Sequence, residues 1–414
     1  MNILVVSQYF WPESFIINDL VKTLVAQGHV VKVLTGKPNY PEGMVFEGYS
    51  ASGYQEECYE SKITVCRAPL RPRGISGAKN LLLNYFSFVI NGLRFYPYAV
   101  KGQRFDAILV FAPSPITSVI PAIYLKWKLG CHLAVWVQDL WPESLSATGF
   151  VTNKLALRVV GLMVKGIYAL VDTLLVQSQA FKAPVSRYAN VDKVVYYPNS
   201  YKEVSVVSEN VIIPLELISE LENNFCLVFA GNLGTAQSVE TLVEVASKLK
   251  HLAGLRIVLV GSGSMFGWIE AQKNSRELDN LILAGRFPAD QMIHFFSRAA
   301  GLLVSLKKDE ALSYTIPSKV QSYLAAGRPI IAALDGEGAR VIEQAKAGLT
   351  SPAQDADGMA LRIEQLYMMS VADREALGSA GRAYYLEHFE MGRQSQRLVK
   401  ILDNRINELK GKSK

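Results

Sequence analysis

The sequence predicts an α/β protein in which two doubly wound domains, each with a mostly parallel sheet, face each other across a cleft. The prediction rests on short β-rich runs that alternate with helical stretches, and on a break in this rhythm between residues 200 and 224. Half of the 414 residues are apolar and 19% are charged. This balance supplies two hydrophobic cores and excludes a disordered chain, which would be less apolar and more highly charged.

The first half of the chain alternates apolar runs with stretches of helical periodicity. Its predicted strands are Asn2–Ser7, Val30–Thr35, Ile63–Ala68, Ala107–Phe111, His132–Val137, Thr173–Val176 and Val194–Tyr197. The predicted helices between them include Ser14–Gln27, Pro115–Lys128 and Leu155–Leu170. Repeated strand–helix–strand units indicate a parallel sheet that is covered by helices.

The same pattern starts again after residues 200–224, which we interpret as a linker. The predicted strands of this second half are Cys226–Ala230, Arg256–Val260, Leu281–Ala284, Gly301–Leu306 and Ile330–Leu334, and the last forty residues are helical. We therefore place the domains at residues 1–205 and 206–385, followed by a C-terminal helix at 386–414. Because doubly wound sheets bind ligands outside the carboxyl ends of their strands, the cleft is the expected site.

Positive charge is concentrated in the first half of the chain. The net charge is +6, and the segment from Ser61 to Phe105 contains no acidic residue while it carries Lys62, Arg67, Arg71, Arg73, Lys79, Arg94, Lys101 and Arg104 among several aromatic residues. Such a segment suits an anionic membrane surface or an acceptor that carries a diphosphate. A core helix with a solvated basic edge explains it equally well. Nucleic acid is not an expected partner, because the second half is nearly neutral and no binding module is recognisable.

Several classes of protein are not expected from this sequence. The four cysteines have no metal-type spacing and suggest a reducing compartment. The most apolar stretch, Leu81–Leu93, is too short to cross a bilayer, and the first residues do not resemble an export signal. No pair of histidines is spaced to bind a metal, and no histidine has the partners of a catalytic triad.

Glycine-rich turns follow two predicted strands of the second half. Gly231, Asn232, Gly234 and Gln237 come directly after the first of them, and Gly261 follows the second. Glycine lets the backbone approach a phosphate, which the N–H groups of the next helix then bind. An ordinary strand-to-helix turn would have the same composition.

A stronger candidate for a phosphate site is a helix start within the second half. Ile316, Pro317, Ser318 and Lys319 precede an apolar helical run that ends at Gly327. Pro near the first helical position and Ser as a cap are typical of a helix N-terminus. Its free N–H groups together with Lys319 suit a diphosphate, although a plain capped helix remains an alternative.

A short motif occurs twice in the first half. Trp-Pro-Glu-Ser follows a predicted strand at Trp11 and again at Trp141, each time three residues after a glutamine, Gln8 or Gln138. Glu13 and Glu143 suit the first turn of a helix and therefore have a purely structural explanation. The functional interpretation places these residues on the wall of the cleft, with Asp139 orienting a substrate hydroxyl or taking part in proton transfer.

The order of these motifs resembles the family 4 retaining glycosyltransferases of the GT-B fold. The resemblance covers essentially the whole chain and extends to Gln27–Val33, Tyr197-Pro198-Asn199, Gly285-Arg286 and Tyr323–Ile330. In particular it resembles the branch that builds bacterial O-antigen, capsule and colanic acid, including fucosamine and fucosyl transferases. The resemblance implies two Rossmann-like domains, the first for the acceptor and the second for the nucleotide sugar, with the C-terminal helix crossing back to the first.

The substrates that the resemblance implies are a nucleotide sugar and a lipid-linked saccharide. The expected donor is UDP-linked, with UDP-N-acetyl-L-fucosamine as one candidate, and the expected acceptor is a saccharide on polyprenyl diphosphate. Such an enzyme is expected in the cytoplasm, at the inner face of the plasma membrane, and without a metal or another cofactor. The departing diphosphate would be stabilised by N–H dipoles and cations, and retention would follow from displacement on the same face of the sugar. A double displacement through a carboxylate remains open.

The sequence departs from the family pattern at several donor positions. Asn232 and Gln237 stand where many members have an Arg and a Lys, and Tyr314 and Ser322 stand where many have two glutamates. Lys319, Arg286 and Lys307 are therefore the expected cations, with Glu310 and Ser322 near the donor.

The first domain supplies the other expected site residues. Gln138, which stands where a histidine is common, joins Asp139 and Glu143 as the catalytic candidates. The expected acceptor residues are Gln8, Trp11, Glu13, Arg71 and Arg73.

Two other functions share this fold. A nucleotide-sugar epimerase would act on the donor alone and would need an acid and a base around the sugar, which we do not identify. A non-catalytic sugar-nucleotide-binding subunit would bind the donor without transferring its sugar. The fold alone does not distinguish these functions from transfer.

Overall fold

The chain forms two compact units in a computed structural model that describes residues 1–74, 77–147, 151, 153–203 and 212–412. Unit 1 comprises Met1–Ser200 together with Met391–Lys414, and unit 2 comprises Tyr201–Glu390. The boundary that the sequence predicts at residues 205 and 206 lies outside the described residues. Each unit has its own parallel sheet covered by helices, so the predicted α/β class with two Rossmann-like sheets is confirmed.

Unit 1 contains an eight-stranded sheet with the strand order β3-β4-β2-β1-β5-β6-β7-β8. All neighbouring strands are parallel except β3 and β4, which pair antiparallel. The strands are β1 (Asn2–Ser7), β2 (Val30–Gly36), β3 (Gln55–Tyr59), β4 (Ile63–Ala68), β5 (Ala107–Ala112), β6 (His132–Val137), β7 (Thr173–Val176) and β8 (Val194–Tyr196). The strands β1, β5, β6 and β7 are buried almost throughout, which explains their continuous apolar sequences.

The described residues of unit 1 form seven α-helices. They are α1 (Ile16–Ala26), α2 (Ala78–Ala99), α3 (Ile120–Leu129), α4 (Glu143–Ala147), α5 (Lys154–Leu170), α6 (Lys182–Ser186) and the C-terminal α16 (Met391–Lys412). Connections between parallel strands are right-handed, so the direction of each step across the sheet decides which face its helix covers. The step from β1 to β2 runs opposite to the steps that contain α2, α3 and α5. Therefore α1 covers one face of the sheet, and these three helices cover the other.

The C-terminal helix α16 completes the hydrophobic core of unit 1. Met391, Leu398 and Leu402 are buried in the cluster that also contains Ile3 and Leu20. The helix is also held by polar contacts near its start, because the Tyr197 hydroxyl donates to the Gln394 carbonyl at 3.1 Å. The last helix of the chain therefore packs on the first unit.

Unit 2 contains a six-stranded parallel sheet with the order β11-β10-β9-β12-β13-β14. Its strands are β9 (Phe225–Ala230), β10 (Leu255–Val260), β11 (Leu281–Gly285), β12 (Gly301–Ser305), β13 (Ile330–Ala333) and β14 (Gly348–Ser351). Its helices are α7 (Leu215–Asn223), α8 (Val239–Lys248), α9 (Phe266–Ser275), α10 (Met292–Arg298), α11 (Glu310–Ser313), α12 (Ser318–Ala326), α13 (Glu337–Gln344), α14 (Ala356–Met368) and α15 (Val371–His388). Two separate apolar clusters pack against its sheet.

Two strands are absent from the sequence prediction. Strand β3 alternates between solvent-facing and sheltered positions and carries Glu56 and Glu57, so it lacks the apolar run of the central strands. Strand β14 has only four residues at the edge of its sheet. Among the described residues, no helix is both long and apolar enough to cross a membrane.

The packing of α16 predicts a large loss of stability when its buried leucine is shortened. We expect Leu398→Ala to lower the free energy of unfolding by about 2–5 kcal/mol, because it removes buried methyl groups and leaves a cavity. Denaturation in urea, followed by circular dichroism, measures the change. Lys400→Ala on the exposed side of α16 is the control and should change stability by less than about 0.5 kcal/mol. Equal effects of the two substitutions would contradict the packing of α16.

Candidate active site

Each sheet reverses the direction of strand addition beside its first strand. In unit 1 the reversal lies between β1 and β5, and in unit 2 it lies between β9 and β12. The connections diverge at such a point and leave a crevice at the carboxyl ends of the strands, which is where α/β proteins bind ligands. The residues that follow these four strands and their neighbours are therefore the candidates for binding a ligand.

In unit 1, Gln8 follows β1 and is almost completely buried. Its Nε2 donates to Asn84 Oδ1 of α2 at 2.7 Å, whereas its Oε1 is buried without a hydrogen-bond partner. Asn84 in turn donates to the Arg71 carbonyl oxygen at 2.6 Å. Since a buried acceptor without a partner is costly, Gln8 Oε1 suits a hydroxyl or amide N–H of a ligand.

Two tyrosine rings, of Tyr9 and Tyr40, hold Arg73 near Gln8. The Arg73 guanidinium lies 5.0 Å from the Tyr40 ring centroid and donates to the Tyr9 hydroxyl at 3.3 Å. Tyr9 also stacks on Phe15, with ring centroids 5.4 Å apart. Arg73 is thus positioned by aromatic rings and has no acidic partner in an ion pair among the described residues. Arg71 is exposed and contributes its backbone to this region.

Asp139 follows β6 and is largely buried. Burial raises the pKa of its carboxyl group, and hydrogen bonds from Ser144 and Trp141 oppose the shift. The Trp141 indole Nε1 donates to Asp139 Oδ2 at 3.2 Å, which fixes the orientation of the carboxylate. Asp139 is also close enough to Tyr85 of α2 to raise the pKa of the phenol, after the larger effect of burial. A fixed carboxylate at a strand end can orient a substrate hydroxyl or accept its proton.

The Glu13 carboxylate is occupied by backbone groups. Its Oε1 accepts from the N–H groups of Asn39 and Tyr40, both at 2.8 Å, and its Oε2 accepts from Phe10 N–H at 3.1 Å. Burial raises the pKa of Glu13 to about 7, against these hydrogen bonds. Glu13 therefore joins the loops after β1 and β2, which is a structural role. It precedes α1, so the predicted place in the first turn of a helix is wrong for Glu13. The nearby Trp11 indole packs on Tyr59, with ring centroids 5.1 Å apart.

The other two catalytic candidates have different surroundings. Gln138 accepts a hydrogen bond from Gln177 through its backbone carbonyl at 2.7 Å, while its side-chain Nε2 is buried without a partner. Glu143 lies in the first turn of α4 and forms a 3.7 Å ion pair with the exposed Arg187. Gln138 thus has a free donor for a ligand, and the Glu143 charge is directed to the surface.

In unit 2, two glycines let the loops after β9 and β10 touch. Gly231 and Gly261 have φ angles of +134° and +146°, which favour glycine. A Cβ atom on Gly261 would lie 1.8 Å from the Gly231 carbonyl oxygen, and one on Gly231 would lie 2.6 Å from Lys319 Cε. Gly261 excludes any larger residue because of this backbone contact. At Gly231 the positive φ angle disfavours a larger residue, and the Lys319 side chain would have to move.

The side chains of Asn232 and Gln237 hydrogen-bond to each other across this loop. Gln237 Oε1 accepts from Asn232 Nδ2 at 3.1 Å and from Gly234 N–H at 3.3 Å. The Gln237 carbonyl oxygen also accepts from Ser305 Oγ of β12 at 2.6 Å. The pair closes the turn after β9 without supplying a cation there.

Lys319 is the cation that lies in the unit 2 crevice. It belongs to the first turn of α12, and its Nζ lies 3.6 Å from the centroid of the Phe229 ring. Burial lowers the pKa of Lys319 to about 7, and no charged neighbour among the described residues offsets this burial. A half-buried ammonium without a counterion among the described residues, beside N–H groups at a helix start, suits an anionic ligand such as a diphosphate.

The other residues predicted to bind the donor sugar nucleotide differ in how far they are exposed. Ile316 is buried, and Pro317 occupies the N-cap position of α12. Ser318 is the first helical residue and is exposed, so its predicted role as the cap is wrong. Lys307 follows β12 and binds the Ala236 carbonyl oxygen through its backbone, while its side chain is exposed.

Three further residues predicted to bind the donor have partners or surroundings away from the Lys319 side chain. Arg286 follows β11 and is exposed. Glu310 accepts a 2.6 Å hydrogen bond from the Tyr314 hydroxyl. Ser322 donates to the Lys319 carbonyl oxygen and lines a groove of about 660 Å³ together with Phe296 and Arg382.

Three contributors to these sites were missed by the sequence analysis. Asn84 and Tyr85 lie inside an apolar helical run, and Phe229 lies inside a strand. A polar residue in an apolar helix is the signal that could have identified Asn84. Among the described residues, no group of three or more His, Cys, Asp or Glu side chains is arranged to bind a metal ion.

Both units match known families of protein domains. Residues 15–200 match the family described as "Glycosyl transferase 4-like domain", and residues 224–369 match "Glycosyl transferases group 1". A curated relative from Escherichia coli K12 is 26% identical over 319 residues, which are 75% of this chain and 76% of the relative. It is named "Putative colanic acid biosynthesis glycosyl transferase WcaI".

The whole chain also resembles solved structures. Sucrose-phosphate synthase from Thermosynechococcus elongatus superposes with a TM-score of 0.72 at 15% identity, over 98% of this chain and 99% of that one. Anabaena HepE, solved in complex with UDP, gives a TM-score of 0.66 at 13% identity, over 98% and 100% of the two chains. These similarities show the shared fold.

The burial of Lys319 predicts a pH-dependent gain in stability when its charge is removed. The folded-state pKa of about 7 lies below the ordinary 10.5, so the charge destabilises the folded protein fully below pH 7 and not at all above 10.5. We expect Lys319→Met to raise the Tm of the free protein at pH 6–7, by about 2–4 °C for each kcal/mol gained. The gain should shrink steadily as the pH rises to 10.5.

Thermal denaturation at several pH values, followed by circular dichroism, measures this difference. Lys308→Met, at an exposed lysine of the same unit, is the matched control and should show no pH-dependent gain. A Tm difference that is constant with pH would show that the Lys319 ammonium is not destabilised by burial.

Proposed function

As the chain is a glycosyltransferase, with a glycosyl transferase 4-like domain in unit 1 and a group 1 domain in unit 2, we propose that it transfers a sugar from a UDP-linked donor to a polyprenyl-diphosphate-linked saccharide. The product belongs to a bacterial surface polysaccharide such as O-antigen, capsule or colanic acid. The enzyme works in the cytoplasm, at the inner face of the plasma membrane. An N-acetylated 6-deoxyhexose such as N-acetyl-L-fucosamine is the proposed sugar.

The observation that carries this proposal is Lys319 in the crevice of unit 2. Its Nζ has no charged neighbour among the described residues, and it lies against a loop where only glycine fits. The N–H groups of Ser318 and Lys319 at the start of α12 have no acceptor within their own helix. Together they form a cationic and N–H-rich site for the donor diphosphate. The UDP complex of HepE, a protein of the same fold, supports uridine as the base.

The acceptor is assigned to the crevice of unit 1. Among the described residues, Gln8 Oε1 and Gln138 Nε2 are an acceptor and a donor without a hydrogen-bond partner, and Arg73 is a cation without an acidic partner. Asp139, held by Trp141, orients the acceptor hydroxyl. The name of the E. coli relative, which refers to colanic acid, supports a saccharide acceptor in polysaccharide biosynthesis.

The proposed chemistry is a displacement at the anomeric carbon with retention. The bond between this carbon and the diphosphate oxygen breaks with its electron pair, and the acceptor oxygen forms the new bond on the same face. The acceptor proton passes to the departing diphosphate. Lys319 and the α12 N–H groups stabilise the growing negative charge on the diphosphate, where fixed dipoles are most effective. This proposal gives Asp139 an orienting role instead of a covalent one.

Donor binding is testable by the thermal stability of the protein. We expect UDP to raise the Tm, and GDP, dTDP and CMP to leave it nearly unchanged, because a ligand that binds only the folded state stabilises it by mass action. At 100 times its Kd, the ligand adds about 2.7 kcal/mol. Lys319→Met should abolish the UDP shift, whereas Lys308→Met should retain it. A shift with GDP alone would replace the uridine donor by a guanosine donor, and no shift at all would overturn the donor site.

Asp139 is testable by the rate of sugar transfer. We expect Asp139→Asn to lower kcat by about 10²-fold, because the acceptor hydroxyl loses the carboxylate that orients it. The UDP shift should remain, because Asp139 belongs to unit 1. Product formation on a lipid-linked acceptor, followed by mass spectrometry, measures transfer. Asp106→Asn, which changes an exposed aspartate before β5, is the matched control. Full activity of the Asp139 variant would exclude it from the reaction.

A further inference from the structure

The outer surface of α2, α3 and α5 in unit 1 has properties that the transfer reaction does not explain. The three helices lie side by side on one face of the sheet. Gly92 of α2 is so close to α3 that an added Cβ would lie 2.8 Å from Pro121 Cγ. The side chain of Lys126 in α3 donates to the Leu170 carbonyl oxygen at the end of α5 at 2.9 Å. We call the outward side of these helices the three-helix face.

Large apolar side chains are exposed along all three helices. On α2 they form one stripe at helical spacing, in which Phe86 and Ile90 are 59% and 62% exposed. The exposed apolar residues of the three-helix face are Leu82, Phe86, Ile90, Leu93, Tyr124, Trp127, Leu155, Val159 and Leu162. Single exposed apolar residues are common, but nine large ones on three helices of one sheet face indicate a contact with a membrane or another molecule.

The charges of the same helices all have one sign. None of the three helices contains an acidic residue, and together they carry Lys79, Arg94, Lys126, Lys128, Lys154, Arg158 and Lys165. Lys126 forms a 2.6 Å ion pair with Asp172, which follows α5, so the other six supply the charge that faces a ligand. The helices on the opposite face of the sheet, α1 and α16, contain Asp19, Asp403 and Glu408. The lack of acidic residues is thus a property of the three-helix face and does not extend to the whole unit.

We propose that the three-helix face binds the surface of an anionic lipid bilayer. Its apolar side chains enter the boundary between headgroups and acyl chains, and its lysines and arginines pair with lipid phosphates. This inference deepens the proposed function, because a polyprenyl-linked acceptor lies in such a bilayer. The surface differs from Arg71 and Arg73, the basic residues of the sequence analysis, which belong to the loop before α2.

The position of α2 connects this face with the acceptor crevice. Asn84 points inward and hydrogen-bonds to Gln8, whereas Leu82 and Phe86 in the same helical turns point outward. The start of α2 therefore separates the crevice from the three-helix face by the width of one helix. An acceptor can reach Gln8 and Asp139 while its lipid tail remains in the bilayer.

Flotation with lipid vesicles tests the face. We expect the full chain to float with vesicles of phosphatidylethanolamine and phosphatidylglycerol and to remain unbound with pure phosphatidylcholine. The double variant Phe86→Glu/Ile90→Glu should bind the anionic vesicles about tenfold less, because it places negative charge on the membrane side. The matched control is Val30→Glu/Val191→Glu, at residues of unit 1 that are 63% and 65% exposed outside these helices. It should float like the unchanged protein.

Three results would overturn the proposal. The first is a failure of the unchanged chain to float with anionic vesicles, and the second is equal binding of the two double variants. The third is self-association of the unchanged chain that Phe86→Glu/Ile90→Glu abolishes in size-exclusion chromatography, since the face would then join two copies. Circular dichroism confirms that each variant is folded before it is compared.

The charges and the transfer activity provide two further measurements. Lys154→Gln/Arg158→Gln/Lys165→Gln should remove the preference for anionic vesicles, and an unchanged preference would contradict the role of these charges. Transfer to a short-chain, water-soluble acceptor should be unchanged in Phe86→Glu/Ile90→Glu. If the unchanged chain floats but transfers no sugar, the proposal that the three-helix face binds a bilayer is supported, whereas the proposed function is contradicted.

Discussion

The arrangement of both candidate sites depends on where each parallel sheet changes direction. In a parallel sheet all strands end at one edge, so residues far apart in sequence meet there. At the reversal beside β1 or β9, no connection covers this edge, and polar side chains can remain at the end of a buried strand. Gln8 and Asp139 lie at such an edge in unit 1, and Gly231 with Lys319 lies at one in unit 2.

Within unit 2, close packing holds the Lys319 charge in a place that is electrostatically unfavourable. The ammonium of Lys319 is held against an aromatic ring and glycine backbone, and its partial burial lowers its pKa. Such an arrangement lowers the stability of the free protein, and an anionic ligand relieves the unfavourable burial. Binding sites are commonly destabilised in this way, because groups that wait for a ligand are not optimally paired in its absence. In unit 1, Gln8 Oε1 and Gln138 Nε2 are buried without a hydrogen-bond partner, which also lowers stability until a ligand binds, but by less than a buried charge does.

The sequence predicted most of the sheet architecture because buried parallel strands are continuous apolar runs. Strands β1, β4, β6 and β7 have the predicted bounds. It did not predict β3, which has two consecutive glutamates and alternates between exposed and sheltered positions, or the brief edge strand β14. It identified Lys319 from a helix start, but the approach to Phe229 arises from tertiary packing that no local pattern reveals. Likewise, the contact of Asn84 with Gln8 joins residues 76 positions apart. The sequence also did not reveal that leucines of α5 are exposed to solvent, because the same leucines would suit a buried helix.

The packing of α16 has a consequence for how the protein is made. Unit 1 is assembled from both ends of the chain, and unit 2 is inserted between them. On a ribosome, residues 1–200 emerge first, but the core that includes Ile3 and Leu20 lacks Leu398 and Leu402 until synthesis is almost complete. At typical elongation rates, about 10–40 s separate the two parts. Unit 2 can therefore complete its fold before the unit that precedes it, while the apolar surface awaiting α16 stays exposed in the nascent chain.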